Sequence, residues 1–357
     1  MRALGIHYYA GSLQYFGILK IQDLFTIPLK RPLVVQDRVM HAFNFLSRLP
    51  HFLTKYDTFV FVSPPYFHLL AFPIFKLTKK RAISIVVDAY SDIAKEKLWQ
   101  APRSRKILRK LLYPAYALSE YLSIKLSDVV FCVSKYLVNL YKKLNKEIYY
   151  IPNGADVAAI EKIEPKMKDR DYIFYMGGFL QWRGIDLLIK AFENVRKKHD
   201  VKLVLVGGET KELMDSYPGL LELLGSKDVI QTGILPQEEA IAYLKGAKIA
   251  VMPSRNTIIS RSISSIKVFQ YIAAEIPQVC TDSGEHADWV RKLDVGIVVE
   301  DTVEGLTRGM LELLENEKLY EKFKENCRKR KLEIDSMLFK KPLIEYFESL
   351  SSTSPER

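Results

Sequence analysis

The sequence predicts an α/β protein made of two domains, each with a doubly wound parallel sheet. Short β-branched runs alternate with amphipathic stretches, which is the pattern of βαβ units. The pattern occurs twice, before and after a charged stretch at residues 152–170 that opens with Pro-Asn-Gly. The 357 residues are enough for about two domains. We therefore predict a first domain over residues 1–155 and a second over residues 156–334.

Each predicted strand is a short apolar run bounded by polar or turn-forming residues. The first series comprises Ala3–Tyr8, Asp57–Ser63, Ala82–Val87, Val129–Val133 and Ile148–Ile151. The second comprises Tyr172–Met176, Val201–Val206, Asp228–Thr232, Ile249–Met252, Gln278–Thr281 and Gly296–Val299. Helices are expected between the strands, for example over Ile185–Lys198. The rest of the first 45 residues gives no clear pattern.

The chain is strongly basic. A formal charge of +11 at pH 7 and a pI of about 9.2 favour anionic partners: phosphates, nucleic acid or an acidic membrane surface. The sequence has no basic low-complexity tail and no recognisable nucleic-acid-binding module, so we do not expect nucleic acid as a partner. Because the basic residues concentrate on predicted helices, a phosphate-bearing ligand or an anionic membrane surface fits better.

Cysteine and histidine usage bears on metals and on the compartment. The three cysteines have no paired spacing, and the six histidines show no ligand spacing. We therefore expect neither a disulfide framework nor a bound metal, and a reducing compartment. The N-terminus lacks a signal-peptide pattern, and the longest apolar run, Tyr66–Phe75, contains a proline and is too short to span a bilayer. These features predict a cytoplasmic protein, with a peripheral membrane association left open.

A glycine-rich loop follows the first strand of the second series. Gly177 and Gly178 let the backbone approach a ligand closely, and amide groups near a helix N-terminus favour phosphate. Arg183, just before the helix, is a candidate to bring a full positive charge to a diphosphate. The alternative is a tight turn with a solvated arginine. The loop is neither a Walker loop nor a Gly-x-Gly-x-x-Gly fingerprint.

A second candidate element lies at residues 248–279, which predict a strand, a loop, a helix and another strand. On the helix, Lys267, Gln270, Tyr271 and Ala274 share one face because they are spaced i, i+3, i+4 and i+7. Polar side chains on a helix beside the end of a parallel strand lie where open α/β sheets bind ligands. The alternative is an ordinary solvated helix face with Tyr271 half packed.

The pattern Lys-x-Phe-x-Tyr, then Ala-Ala and Pro, resembles the donor-site helix of the retaining glycosyltransferases of family 4. Further landmarks of that family follow in order over residues 120–335. They are Pro152-Asn153-Gly154-Ala155-Asp156, Gly177 with Arg183-Gly184, Val206-Gly207-Gly208, Thr232-Gly233-Ile234-Leu235 and Thr281-Asp282-Ser283-Gly284. Each motif is unspecific, but the ordered set is not.

The resemblance implies the GT-B fold, with two Rossmann-like domains facing a cleft. It implies a first domain that binds an acceptor, joined by the C-terminal helix at residues 335–357, and a second that binds a nucleotide-diphosphate sugar. The implied reaction is transfer of a hexosyl group, with retention and without metal or cofactor, to a glycan or lipid-linked acceptor. Two alternatives stay open: an inactive binding or scaffold subunit of the same fold, and a hydrolysing nucleotide-sugar epimerase.

The resemblance also assigns site residues. Arg183 falls on the position that grips the diphosphate, Lys267 on one that meets phosphate or a donor hydroxyl, and Gln270 on the carboxylate that accepts hydrogen bonds from ribose. Donor contacts are further implied for Gly177, Gly178, Gly207, Ser283 and Gly284. Asp88, Tyr90 and Asp92 are the candidates for a sugar contact, and the alternative for Asp88 is that it caps a helix or turn. Three positions depart from the family pattern: Gly178 replaces a basic residue, and Gln270 and Ser262 replace glutamates.

A basic amphipathic stretch at Pro102–Ser119 is the candidate for contact with anionic lipid. Arg103, Lys106 and Lys110 lie along one face and leucines along another. A basic, solvent-facing helix packed on the first sheet is the alternative.

Overall fold

The computed structural model describes residues 3–7, 24–28, 47–62, 68–89, 91–93, 95, 103–167, 171–208, 218–220 and 224–352. The chain divides into two compact units. The first contains residues 1–153, 262–264 and 339–357, and the second contains residues 154–261 and 265–338.

The first unit is built on a six-stranded sheet in which every paired neighbour is parallel. Its strands run β2-β1-β3-β4-β5-β6 across the sheet. They are β1 (Ala3–His7), β2 (Leu24–Pro28), β3 (Thr58–Val62), β4 (Arg81–Val86), β5 (Val129–Cys132) and β6 (Ile148–Tyr150). The helices are α1 (residues 47–55), α2 (His68–Leu77), α3 (Arg103–Leu126) and α4 (Lys135–Tyr141), where Ser134 caps α4 by accepting from the Leu137 amide at 3.3 Å.

The last helix, α13 (Ser336–Ser352), completes the core of the first unit. Leu343, Phe347 and Leu350 are buried, and they belong to the same apolar cluster as Ile83 and Phe131 of the sheet. These three side chains recur at intervals of three and four residues, so one stripe of the helix faces the sheet.

The second unit has another parallel six-stranded sheet, ordered β12-β11-β10-β7-β8-β9. Its strands are β7 (Tyr172–Met176), β8 (Lys202–Val206), β9 (Val229–Gly233), β10 (Ile249–Met252), β11 (Gln278–Thr281) and β12 (Gly296–Val299). Since the chain moves outward from β7 to β9 and then returns to β10, the topological switch point lies between β7 and β10. Ligands bind at such a point in open α/β sheets.

Helices cover the second sheet. They are α5 (Val157–Glu161), α6 (Ile185–Val195), α7 (Gln237–Gly246), α8 (Ile258–Ser262), α9 (Ile266–Ala273), α10 (Glu285–Leu293), α11 (Val303–Glu315) and α12 (Glu317–Arg330). In α6 the residues Ile185, Leu188, Ile189 and Phe192 are fully buried because their spacing puts them on one face.

The predicted fold class, two parallel-sheet α/β domains, is confirmed. Eleven of the twelve described strands coincide with predicted ones to within one residue at most ends. The strand that the sequence analysis does not predict is β2, which ends at Pro28. It lies at the sheet edge, where a proline without an N–H group is tolerated.

The basic stretch predicted for lipid contact falls on α3, which also holds Pro114. The side chains of Arg103, Lys106 and Lys110 lie outside the described residues, so the predicted lipid contact stays a prediction. No helix in the described part of the chain is both long and apolar enough to cross a membrane.

Candidate functional site

Three glycines line the carboxyl edge of the second sheet, where β7, β8 and β9 end. Gly177, Gly207 and Gly233 all have positive φ, at 140°, 91° and 70°. The Gly177 amide donates to the Val206 carbonyl at 2.8 Å, and the Gly207 amide donates to the Gly233 carbonyl at 2.8 Å. Glycine adopts such backbone conformations freely. The three glycines therefore leave this edge of the sheet without side chains at their positions.

The basic side chains of Lys267 and Arg183 flank Gly177. A Cβ atom on this residue would lie 3.1 Å from Nζ of Lys267 and 3.4 Å from Nη1 of Arg183. It would also lie 3.0 Å from the Tyr175 hydroxyl, which donates to the Gly178 carbonyl at 3.0 Å. Thus glycine at position 177 leaves room between the two basic side chains. Gly178, in contrast, faces open space.

Lys267 is the second residue of α9 and is 7% exposed. Within the described part of the chain its Nζ has no hydrogen-bond partner, and it lies 4.9 Å from the centroid of the Tyr175 ring. Burial, together with the charge of Arg183, holds the pKa of Lys267 well below its usual value. A buried, unpaired amine is a group that an anion would stabilise.

Arg183 ends a short 3₁₀ turn over Gln181–Arg183. Its guanidinium stacks on Trp182, 4.4 Å from the ring centroid, and its Nε is buried without a partner. Gly184 follows in the left-handed conformation, φ 63°, and caps α6, where a side chain would collide with the Pro253 carbonyl. The turn is therefore fixed by backbone packing, and Arg183 is presented from a rigid position.

A salt bridge connects the helix that follows this turn to the loop after β10. Asp186, in the first turn of α6, pairs with Arg255 at 2.5 Å. The Arg255 amide donates to the Trp182 carbonyl at 2.8 Å. The loop after β10 thereby holds the loop after β7, the two strands that bound the switch point.

The polar face of α9 is buried. Gln270 is 5% exposed and Tyr271 is fully buried against Phe174 at 6.2 Å between ring centroids. The alternative of a solvated helix face is therefore wrong. Three residues after Lys267, Gln270 lies on the same face of the helix.

A hydrogen-bonded cluster lies at the start of α10. His286 Nε2 is 3.1 Å from the Thr281 carbonyl and 3.2 Å from the Ser283 hydroxyl, and the Thr281 hydroxyl donates to the Ser254 carbonyl. Burial is the main cause that lowers the pKa of His286 to about 4. Gly284 precedes α10 and packs on the Ser260 carbonyl.

The structure therefore brings Gly177, Gly207, Arg183 and Lys267 together, with Gln270 on the Lys267 helix. Ser283 lies with His286 in the cluster at the start of α10, where a charge on Lys267 would repel a charge on His286. His286 and Tyr175 belong to this site but are not predicted from the sequence. A single histidine inside Glu-His-Ala-Asp-Trp and a tyrosine inside a strand give no motif, so no sequence signal marks them.

Asp88 lies in the first unit, half-buried just beyond β4. Nearby, the Tyr136 hydroxyl donates to Asp92 at 3.2 Å, and Tyr90 lies outside the described residues. The sequence analysis missed Glu120, a buried carboxylate of α3 that accepts from the Ser91 amide at 2.6 Å and from the Tyr141 hydroxyl.

Glu120 therefore fixes the turn that follows β4. Its burial raises the pKa of the carboxyl group. Within the described ranges, no group of three or more His, Cys, Asp or Glu side chains could hold a metal ion.

Comparison with known proteins gives one family match. Residues 156–330 match the family described as glycosyl transferases group 1. Among curated proteins, the uncharacterized glycosyltransferase MJ1069 of Methanocaldococcus jannaschii is 27% identical over 219 residues, which is 57% of this chain and 54% of the relative. MJ1178 of the same organism is 26% identical over 208 residues, 56% of this chain and 53% of the relative. The chain thus spans about half the length of the curated relatives it matches.

Solved structures share the fold of the described chain. A sucrose-phosphate synthase from Thermosynechococcus elongatus has a TM-score of 0.74 at 14% identity, covering 99% of this chain and 100% of that one. WaaG, a glycosyltransferase involved in lipopolysaccharide biosynthesis, has a TM-score of 0.70 at 14% identity, covering 96% and 98%. Anabaena HepE in complex with UDP-glucose has a TM-score of 0.73 at 10% identity, covering 98% and 100%. The fold is that of the GT-B glycosyltransferases, with two Rossmann-like α/β domains.

Proposed function

We propose that this protein is a glycosyltransferase that binds a nucleoside-diphosphate sugar on its second unit. The observation that carries the proposal is the pair of Lys267 and Arg183 on either side of Gly177. Each of these two basic side chains has a buried nitrogen without a hydrogen-bond partner among the described residues, and both lie at the switch point of a parallel sheet. The match of residues 156–330 to glycosyl transferases group 1 supports the proposal.

In this proposal the two cations hold the diphosphate and stabilise it as it leaves. Negative charge grows on the leaving phosphate when the bond to the sugar breaks, so fixed positive groups help the transition state more than the bound donor. Gly177 and Gly207 carry no side chains and Gly178 faces open space, which leaves room for the donor. Ser283 and Gly284 are proposed to meet the phosphates from the start of α10.

Gln270 is proposed to accept a hydrogen bond from the ribose hydroxyls. It is buried and uncharged, so its bond is weaker than that of a carboxylate by about 1 kcal/mol. Asp88 is proposed to contact the transferred sugar from the first unit.

The finer features of the reaction are also proposals. They are retention of configuration, a hexosyl donor, and a glycan or lipid-linked acceptor. Independence of metal is proposed as well, because Lys267 and Arg183 would neutralise the diphosphate. The assignment of acceptor binding to residues 1–155 with 335–357, and of donor binding to residues 156–334, belongs to the same proposal. A cytoplasmic location and a peripheral contact with anionic membranes are proposed as well, and the net charge of +11 supports the membrane contact.

A catalytically inactive binding subunit is the second candidate. Gln270, Gly178 and Ser262 support it, because each replaces a charged residue of the pattern that the sequence resembles. Such a subunit would bind a nucleotide sugar through Arg183 and Lys267 but would not cleave the bond between the nucleotide and the sugar.

The test is the release of nucleoside diphosphate from UDP, GDP and ADP sugars, followed by chromatography, with and without glycan acceptors. We expect release from one donor, lost in Lys267→Ala and Arg183→Ala and kept in Lys190→Ala, a change at an exposed lysine of α6 in the same unit. Saturable nucleotide binding with no release from any donor would make the inactive subunit the better account.

A further inference from the structure

The amine of Lys267 is buried. The residue is 7% exposed, its Nζ makes no hydrogen bond to the residues that the structure describes, and the Tyr175 ring centroid lies 4.9 Å away. A buried ammonium group without a partner has a much higher free energy than a buried neutral amine without a partner, because the charged group has lost its hydration. The geometry therefore favours the uncharged form.

The groups that face Lys267 from neighbouring elements do not offset a charge on it. The Arg183 guanidinium shares the space beside Gly177 and repels a second cation. On α10, His286 is buried and uncharged near neutral pH, since its pKa is lowered to about 4. Tyr175 and Tyr271 present phenol groups, and burial raises the pKa of Tyr271.

Two carboxylates near the far end of α9 pair with other basic side chains. Glu275 follows the far end of the helix and pairs with Lys331 at 2.7 Å and with Arg328 at 3.3 Å. Glu161 of α5 pairs with the same Lys331 at 2.6 Å. Eight residues of α-helix correspond to about 12 Å, so this cluster is remote from the Lys267 amine.

On α10, Asp288 is exposed and lies 3.8 Å from Arg291, and Glu285 is buried at the first position of the helix. Among the described residues, burial and the Arg183 charge are the causes that lower the pKa of Lys267.

We propose that Lys267 is uncharged while no anion is bound and takes up a proton when a diphosphate binds beside Gly177, so the site binds a diphosphate and a proton together. The inference rests on the proposed function, which supplies the diphosphate. The proton comes from solvent and forms a new N–H bond on Nζ; no other bond changes. The resulting ammonium then pairs with a phosphate oxygen.

The pH dependence of donor affinity follows from the two protonation states. Below the Lys267 pKa of the free protein, the amine is charged before and after binding, and affinity does not change with pH. Above it, up to one proton enters with each ligand, and affinity falls by up to about tenfold per pH unit. This fall continues until the pH passes the pKa in the complex, which the diphosphate raises by attraction.

The experiment is calorimetric titration of the full chain with UDP-glucose, GDP-mannose and ADP-glucose in buffers that differ in ionisation enthalpy. The esterified diphosphate of these ligands holds no proton near neutral pH, so any proton that enters belongs to the protein. The slope of the binding enthalpy against buffer ionisation enthalpy gives the number of protons taken up. We expect a positive number up to one at pH values below the ordinary lysine pKa of about 10.4.

Three variants locate the proton. Lys267→Arg keeps its charge at all these pH values, so uptake should vanish and affinity should become independent of pH. Lys267→Met matches the side-chain length without an amine, and should bind weakly and also without uptake. Lys190→Ala changes an exposed lysine of α6 outside the site and should keep the uptake of the unchanged protein.

The outcomes separate the two proposals. Saturable binding without proton uptake, or with proton release, overturns the inference and leaves the proposed function intact. Uptake that persists in both Lys267 variants also overturns it. No saturable binding of any donor overturns the proposed function and the inference with it.

Discussion

A Cβ atom on Gly177 would stand 3.1 Å from Nζ of Lys267. This relationship joins the glycine-rich loop after β7 to the helix after β10, two parts of the chain that are ninety residues apart in sequence. Glycine is needed at position 177 for two reasons. A side chain there would crowd the Lys267 amine, and the φ of 140° is a backbone conformation that other residues rarely adopt.

Gly177→Ala should reduce both stability and donor binding. An alanine would have to adopt the φ of 140°, which costs about 1–3 kcal/mol in a residue with a side chain. Its methyl group would also occupy the space between Lys267 and Arg183. Gly178→Ala is the matched control for stability, because a Cβ there meets nothing within 4 Å. Thermal unfolding and nucleotide titration of both variants measure the effect. Equal stability of the two would contradict the role given to Gly177.

Gln270→Glu should strengthen donor binding. A carboxylate accepts a stronger hydrogen bond than an amide, by about 1 kcal/mol, which corresponds to about fivefold in affinity. It also brings a negative charge to the face of α9 that carries Lys267. Gln270→Ala, which removes the acceptor, is expected to weaken binding. If the glutamate weakens binding as much as the alanine does, Gln270 does not face the nucleotide.

His286 should make the protein acid-sensitive. Its pKa in the folded protein is about 4, below the ordinary 6.5, so the unfolded chain binds a proton more readily. The neutral histidine therefore contributes stability above about pH 6.5 that is lost as pH falls through the folded value, on the order of 3 kcal/mol. His286→Gln cannot titrate and keeps an N–H donor. The difference in unfolding free energy between the two proteins should shrink or reverse between pH 7 and pH 4, and a constant difference would contradict the assignment.

Phe347→Ala should destabilise the first unit. The ring is buried in the cluster with Ile83 and Phe131, and removing such a ring costs about 3–5 kcal/mol. Glu348→Ala changes the exposed next residue and is the control. Hydrogen exchange should speed up in β4 and β5 of the variant while β7 and β8 keep their protection. If hydrogen exchange became equally faster in both sheets, α13 would not stabilise the first unit specifically.

Sequence periodicity is enough to predict the fold because each parallel strand is an uninterrupted apolar run, such as Tyr172–Met176. It fails at β2, where Leu24–Pro28 lies among other apolar residues and ends in a proline. Pairing with β1 stabilises this strand, and pairing partners cannot be read from local pattern.

The site is predictable only in part. Gly177, Arg183 and Lys267 come from local motifs, and the structure places them together. The burial of Lys267 and Gln270 is not predictable, because it depends on how α9 packs against β7 and α10. Glu120 illustrates the same point, since its partners Ser91 and Tyr141 are more than twenty residues away on either side.

The most direct test of the central claim is calorimetric titration with UDP, GDP, ADP and their sugars. The unchanged protein is compared with Arg183→Ala, Lys267→Ala and the control Lys190→Ala. The account predicts saturable binding of one nucleotide, greater affinity with one of its sugars, and strong loss in the first two variants alone. Binding of equal strength in all four proteins would contradict it, because the nucleotide would then lie away from Gly177.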